Sequence, residues 1–132
     1  GKTVRHFMNM TPVTVPSHIT LQEFVDTYLY RYHYKMFPVI QNDKISGLIT
    51  LQMLKLHTHE EWKHLLVGQV MQQPNPSNSI ASNTPIEEAL NKMNESGFTR
   101  LLVVEHHNIV GIITLKDLLE YIALKMELDT IP

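Results

Sequence analysis

The sequence predicts an α+β fold: two tandem β-α-β-β-α units packed as a pseudo-two-fold intramolecular pair. Three observations lead there. The stretch Gly47-Leu48-Ile49-Thr50-Leu51-Gln52-Met53 returns as Gly111-Ile112-Ile113-Thr114-Leu115-Lys116-Asp117, an offset of 64 positions (111 − 47). The register holds without a gap from Thr20–Leu54 to Thr84–Leu118, pairing Thr20 with Thr84, Glu23 with Glu87, Val39 with Val103 and Ile45 with Ile109. Each copy also orders its signals alike: a helix start, two apolar strands around a short turn, then a strand running straight into a helix. Repetition at a fixed offset marks a duplicated supersecondary unit. Copies of about sixty residues are marginal alone, so the two are expected to share a core.

The expected boundaries are 1–57 for the first motif with its lead-in, 58–66 for a connector, and 67–129 for the second motif. Val4–Met8 reads as a short amphipathic opening, echoed by Val67–Met71. Val13–Val15, between Pro12 and Pro16, reads as a short strand bounded by breakers. Its counterpart, Ser79–Ala81, follows the loop Pro74-Asn75-Pro76-Ser77-Asn78. Thr20 with Glu23, and Thr84 with Glu87, are spaced as capping boxes, in which the hydroxyl takes an orphan amide and the carboxylate reaches back. Pro85 fits the first helical position. Leu21, Phe24, Val25 and Tyr28 recur at helical spacing, as do Ile86, Ala89, Leu90 and Met93, and Gly97 is placed to end the second helix.

Strands follow at Phe37–Ile40 and Lys44–Ile49 around Asn42-Asp43, and at Leu101–Val104 and Ile109–Ile113 around His106-His107. Asn and Asp tolerate the positive φ of a tight hairpin. Gly47 and Gly111 fall inside strands, where glycine marks a bulge or a close backbone approach. Each copy closes with a helix. The last carries an apolar stripe of Leu115, Leu118, Leu119, Ile122 and Met126, more than one small unit covers, which points to a homodimer. The connector is polar, with Glu60, Glu61 and the single tryptophan, Trp62.

Composition narrows the function. With 43% hydrophobic and 18% charged residues the chain is that of a globular protein. A net charge of −2 and no basic run argue against nucleic acid, whose phosphates require clustered Lys and Arg. No apolar run reaches bilayer length and no signal-peptide pattern opens the chain. The absence of cysteine excludes disulfides and fits a reducing compartment. The chain is expected to be part of a larger protein. No nucleophile with a spaced base, glycine-rich phosphate loop or zinc signature is present, so no catalytic residue is assigned. The eight histidines lack metal-ligand spacing: His57 and His59 point to different helix faces, His106 and His107 sit in a turn, and no metal is expected.

The tandem unit, with Gly-apolar-apolar-Thr-x-x-Asp at its final strand-to-helix step, resembles the CBS domain pair, or Bateman module. The opening Val-x-x-x-Met, the capped helix and Phe37-Pro38-Val39 belong to the same pattern, which covers nearly the whole chain. The resemblance implies adenine nucleotide binding in clefts between the units, control of an attached enzyme, channel or transporter, and disc-shaped dimers. More narrowly, Phe37-Pro38-Val39-Ile40, the Gly47 motif, Glu60-Glu61-Trp62 and Val67-Gly68-Gln69-Val70-Met71 look like the CBS region of site-2-type membrane zinc metalloproteases. That implies a cytoplasmic module, the cytosolic domain of an integral membrane protein whose effector domain lies outside this chain. No His-Glu-x-x-His occurs here.

A nucleotide needs donors for phosphate, acceptors for the ribose diol and an apolar slot for the base. Thr114, at a helix start, offers a hydroxyl near free amides. Asp117 is suited to a diol, because a carboxylate accepts from two neighbouring hydroxyls. Arg100 supplies positive charge. The resemblance adds Ile80, Ala81 and Phe98 as walls for the base. AMP, ADP or ATP is the expected ligand, with a dinucleotide and S-adenosylmethionine left open. Thr-x-x-Asp before an apolar helix is equally an N-cap with a first-turn acid. In the first copy Met53 answers to Asp117 and Met36 to Arg100, so one occupied site per chain is expected. The alternative is a ligand-free structural dimerisation module of a larger enzyme or transporter.

Overall fold

The computed structural model describes all 132 residues. They form two compact units: a first unit of Pro12–Pro74, and a second of Gly1–Thr11 with Asn75–Pro132.

In the first unit, β1 (Val15–Pro16) runs parallel to β2 (Met36–Gln41), which pairs antiparallel with β3 (Lys44–Thr50). The expected strand at Val13–Val15 thus begins only at Val15, where pairing with Val39 starts. The Thr20 hydroxyl accepts from the Glu23 amide at 3.1 Å and starts α1 (Leu21–Phe24). The helix widens into a π turn over Val25–Leu29 and returns to α form as α2 (Tyr30–Tyr32). It ends at His33, which adopts a left-handed φ of 62°. Asn42 and Asp43 both have positive φ, the two-residue hairpin that their side chains favour. The closing helix α3 (Leu51–Leu54) is a single turn, and the polar connector holds another, α4 (His59–Trp62). Phe24 and Phe37, both fully buried, meet edge-to-face at 5.4 Å in the core.

After α5 (Val67–Val70), the second unit repeats the plan: β4 (Ser79–Ala81), α6 (Ile86–Ser96), β5 (Arg100–Glu105), β6 (Asn108–Thr114) and α7 (Leu115–Asp129). The order β4-β5-β6 copies β1-β2-β3, and both sheets shift register at the matching place, Val39/Ile40 and Val103/Val104. Gly97 closes α6 with φ 78°, its amide donating to the Met93 carbonyl. His106 and His107 both take positive φ in the turn. The core is aliphatic, with Ile86, Ala89, Leu101, Val103, Ile113 and Leu118 at its centre.

The capping box expected at Thr84 and Glu87 does not form. Pro85 is the N-cap and Ile86 the first helical residue. The Thr84 backbone is engaged elsewhere: its carbonyl accepts from Val4 and its amide donates to Ala81. The orphan amide of Ile86 reaches the Lys2 carbonyl at 3.3 Å instead.

Those contacts bear on the boundaries. The repeats as they run in sequence and the units as they pack in space differ in one respect, since Gly1–Thr11 packs with Asn75–Pro132. Asn9 exchanges both backbone hydrogen bonds with Ile112, at 2.8 and 3.0 Å, and Phe7 lies 4.6 Å from the Tyr121 ring. Gln72 does the same for Leu48, at 2.9 Å in both directions, so the lead-in to each repeat closes the edge of the other repeat's sheet. The two strand glycines follow from this. A Cβ at Gly47 would lie 2.5 Å from the Gln72 carbonyl oxygen, and one at Gly111 would strike that of Asn9.

Candidate functional site

The second unit brings four of the six nominated residues to one end of its sheet. Thr114 ends β6 in extended conformation and caps α7, its Oγ1 accepting from the Asp117 amide at 3.1 Å. Asp117 is half-buried one turn into the helix. Arg100 opens β5 as the register partner of Thr114, and the Leu115 amide donates to the Thr99 carbonyl at 2.8 Å. These bonds hold cation, hydroxyl and carboxylate on adjoining backbone. Phe98 follows the left-handed Gly97, half-buried against the core, with its amide donating to the Ser96 hydroxyl at 3.1 Å.

Ile80 and Ala81 lie further along. They pair with Val103 and Val104, so Ile80 is three residues from Arg100 in strand register, about 10 Å at ~3.3 Å per residue. The Ile80 side chain is a core residue, 7% exposed, which leaves its backbone as the part that can face a ligand. Ala81 is exposed, its carbonyl accepting from Thr84.

The first unit keeps the scaffold and lacks the chemistry. Thr50 Oγ1 accepts from the Met53 amide at 3.2 Å, matching the Thr114 cap. Met53 and Met36 are buried where the second unit has Asp117 and Arg100. Tyr28, Tyr32 and Tyr34 stack in sequence and crowd the Phe37 ring at 5.5–6.2 Å.

One feature escaped the sequence. Beside that stack a cavity of about 340 Å³ opens between the π turn, α3 and α4. Leu29, Leu51 and Leu54 line it, with Trp62 and Lys35. The dense Tyr, His and Lys content of 28–35 was its only trace. The α4 wall is held by a complete capping box: Thr58 Oγ1 accepts from the Glu61 amide and Glu61 accepts from the Thr58 amide, at 3.1 and 2.9 Å. The backbone bond from Thr58 holds the Glu61 carboxyl below its ordinary pKa.

No three His, Asp or Glu side chains gather as a metal site. His57 lies 3.7 Å from a Glu61 oxygen, and His59 stacks on Trp62 at 4.2 Å. No helix is long and apolar enough to cross a membrane. Along α7 only Leu118 is fully buried, while Leu124, Met126 and Leu128 are 56–66% exposed.

Comparison with known proteins places these features in a family pattern. The sequence profile of the CBS domain matches residues 4–57 and 67–124. Rip3 of Mycobacterium tuberculosis, named as a zinc metalloprotease, is 27% identical over 119 residues, which is 89% of this chain and 30% of Rip3. Among solved structures, AcuB of Vibrio cholerae, ascribed to acetoin utilization, aligns with TM-score 0.77 at 21% identity, over 98% of this chain and 96% of that one. The CBS domain of a bacterial CNNM/CorC family Mg2+ transporter, solved with ATP, aligns with TM-score 0.68 at 22% identity, over 92% and 87%. These likenesses are of fold.

Proposed function

The chain belongs to the CBS domain family, and from that premise we propose that its second unit binds an adenine nucleotide and passes occupancy to an attached protein. A CBS pair is a regulatory module rather than a catalytic one. The observation that carries the finer reading is the Arg100–Thr114–Asp117 arrangement, set against Met36, Thr50 and Met53 in the same backbone positions. Thr114 and the amides of α7 offer donors to phosphate, Asp117 accepts from the ribose diol, and Arg100 contributes charge. The backbone at Ile80 and Ala81, with Phe98, borders the base. AMP, ADP and ATP share these groups, and the transporter CBS domain solved with ATP supports the class.

Binding regulates only if the ligand favours one arrangement of the protein over another. The exposed apolar residues of α7 fit a homodimer, whose geometry a ligand can bias. The chain spans 30% of the length of Rip3, so a membrane metalloprotease as the attached effector, with this module on its cytosolic side, is the narrower form of the proposal.

Calorimetric titration with AMP, ADP and ATP tests it. Asp117→Ala removes charge-assisted hydrogen bonds worth roughly 1.5–3 kcal/mol, weakening binding about ten- to a hundredfold. Met53→Ala leaves affinity unchanged. An Asp117 variant that binds like the parent would refute the site. A parent that binds none of the three would leave the ligand-free dimerisation module, which light scattering at high micromolar concentration tests directly.

A further inference from the structure

We propose that the cavity of the first unit is a second ligand site, separate from the nucleotide residues, which takes a small organic acid with an apolar body. Its volume of about 340 Å³ lies in the range of small-molecule sites. The floor is Leu51 and Leu54 of the α3 turn, and the inner wall is Val25 and Leu29 of the π turn. Trp62 closes the far side, fixed by its indole N–H donating to the Leu54 carbonyl at 3.2 Å. Its other support is His59, stacked at 4.2 Å with 17° between the rings. An apolar body, aromatic or branched, fits such walls.

The rim determines the sign of the charge. Lys35, His33 and His59 border the cavity, and no Asp or Glu does. An anionic head on an apolar body therefore meets a cation and two imidazoles, with no carboxylate to repel it.

The backbone adds an independent observation. His33 occupies the position that Gly97 holds in the second unit, one repeat of 64 later (97 − 33). Both are left-handed, at φ 62° and 78°. Glycine takes that conformation freely and histidine only at some cost, as also at His106 and His107, so the first unit keeps a mildly strained side chain where its own repeat uses none. The strained residue is on the cavity rim, where strain maintained for a ligand would be found.

Trp62 is the only tryptophan, so its fluorescence reads this cavity alone. Titration with phenylpropionate is expected to give a saturable change. The neutral phenylpropionamide, with the same body, should bind about two- to fivefold more weakly, the scale of an exposed charge pair. Lys35→Gln should abolish that difference. Leu29→Phe, which fills the cavity, should remove binding of both compounds. His33→Gly should raise the melting temperature and weaken phenylpropionate binding together. No saturable change in the parent would overturn the site, as would binding that survives Leu29→Phe. Acid and amide that bind equally, with Lys35→Gln silent, would overturn the assignment of an anion.

Discussion

The sheets of the two units share a backbone down to its irregularities, and the units differ in their helices and in what the backbone carries. Each sheet has the same order, the same register shift, the same positive-φ turn and the same bridge to a lead-in segment. Yet the second unit places Arg100 and Asp117 around its threonine, where the first buries methionines. The second unit also continues into the fifteen-residue α7 where the first stops after one turn. The first unit in turn builds an aromatic core around Phe37 and a cavity beside it, where the second has Leu101 in an aliphatic core. Duplication supplied one scaffold, and a few side chains at fixed positions gave one copy a cation and a carboxylate where the other buries methionines. The permissive positions are those at the end of the sheet and in the helix turn that follows, where a substitution leaves the pairing intact.

Substitutions at matched positions test how far the likeness extends. The largest effect is expected in the cores. Phe37→Ala should cost about 3–5 kcal/mol and Leu101→Ala about 2–5 kcal/mol in urea denaturation, both side chains being fully buried. Phe37 should be the costlier, because four other aromatic rings pack on it. Equal losses would mean that the aromatic cluster adds nothing beyond area. Next come the strand glycines: Gly47→Val and Gly111→Val should each destabilise by about 1–3 kcal/mol or more, since each meets a backbone carbonyl rather than a yielding side chain. A melting temperature unchanged in either variant would show that its bridge is dispensable. Smallest are the caps. Thr50→Ala and Thr114→Ala should each cost about 1 kcal/mol, as their hydroxyls make the same bond at 3.2 and 3.1 Å. Only Thr114→Ala should also lower nucleotide affinity in calorimetry. A matching loss from Thr50→Ala would break the division of labour.

Much of this was legible in the sequence because it is local or steric. The turns follow from residues at two positions, and the duplicated glycine announced a close approach before its partner was known. The exchange of lead-ins was not legible. Val4–Met8 and Val67–Met71 look alike whether each closes its own sheet or the other's. The Thr84 box failed for a related reason, since the residue spaced to cap a helix had its backbone claimed by the incoming segment. Of the site, Arg100, Thr114, Asp117 and Phe98 gather at one end of the sheet because register fixes them. Ile80 and Ala81 came from family pattern alone and lie a strand segment away. The cavity depends on a π turn and on a left-handed histidine, neither of which periodicity reveals.

The exchanged lead-ins also set an order in time. Everything that closes the first unit lies in one unbroken stretch, finished once Gln72 is made. The second unit needs Asn9 beside Ile112, so a segment made before the first unit must wait for one made after it. During elongation on the ribosome the first unit can therefore fold while Val4–Met8 stays unpaired, exposing Phe7 and Val4 until α7 emerges. Limited proteolysis of chains stalled after about residue 105, with some thirty residues still inside the ribosome, should cut within 1–11 and spare 12–74. Protection of the opening segment at that length would show that it first docks elsewhere.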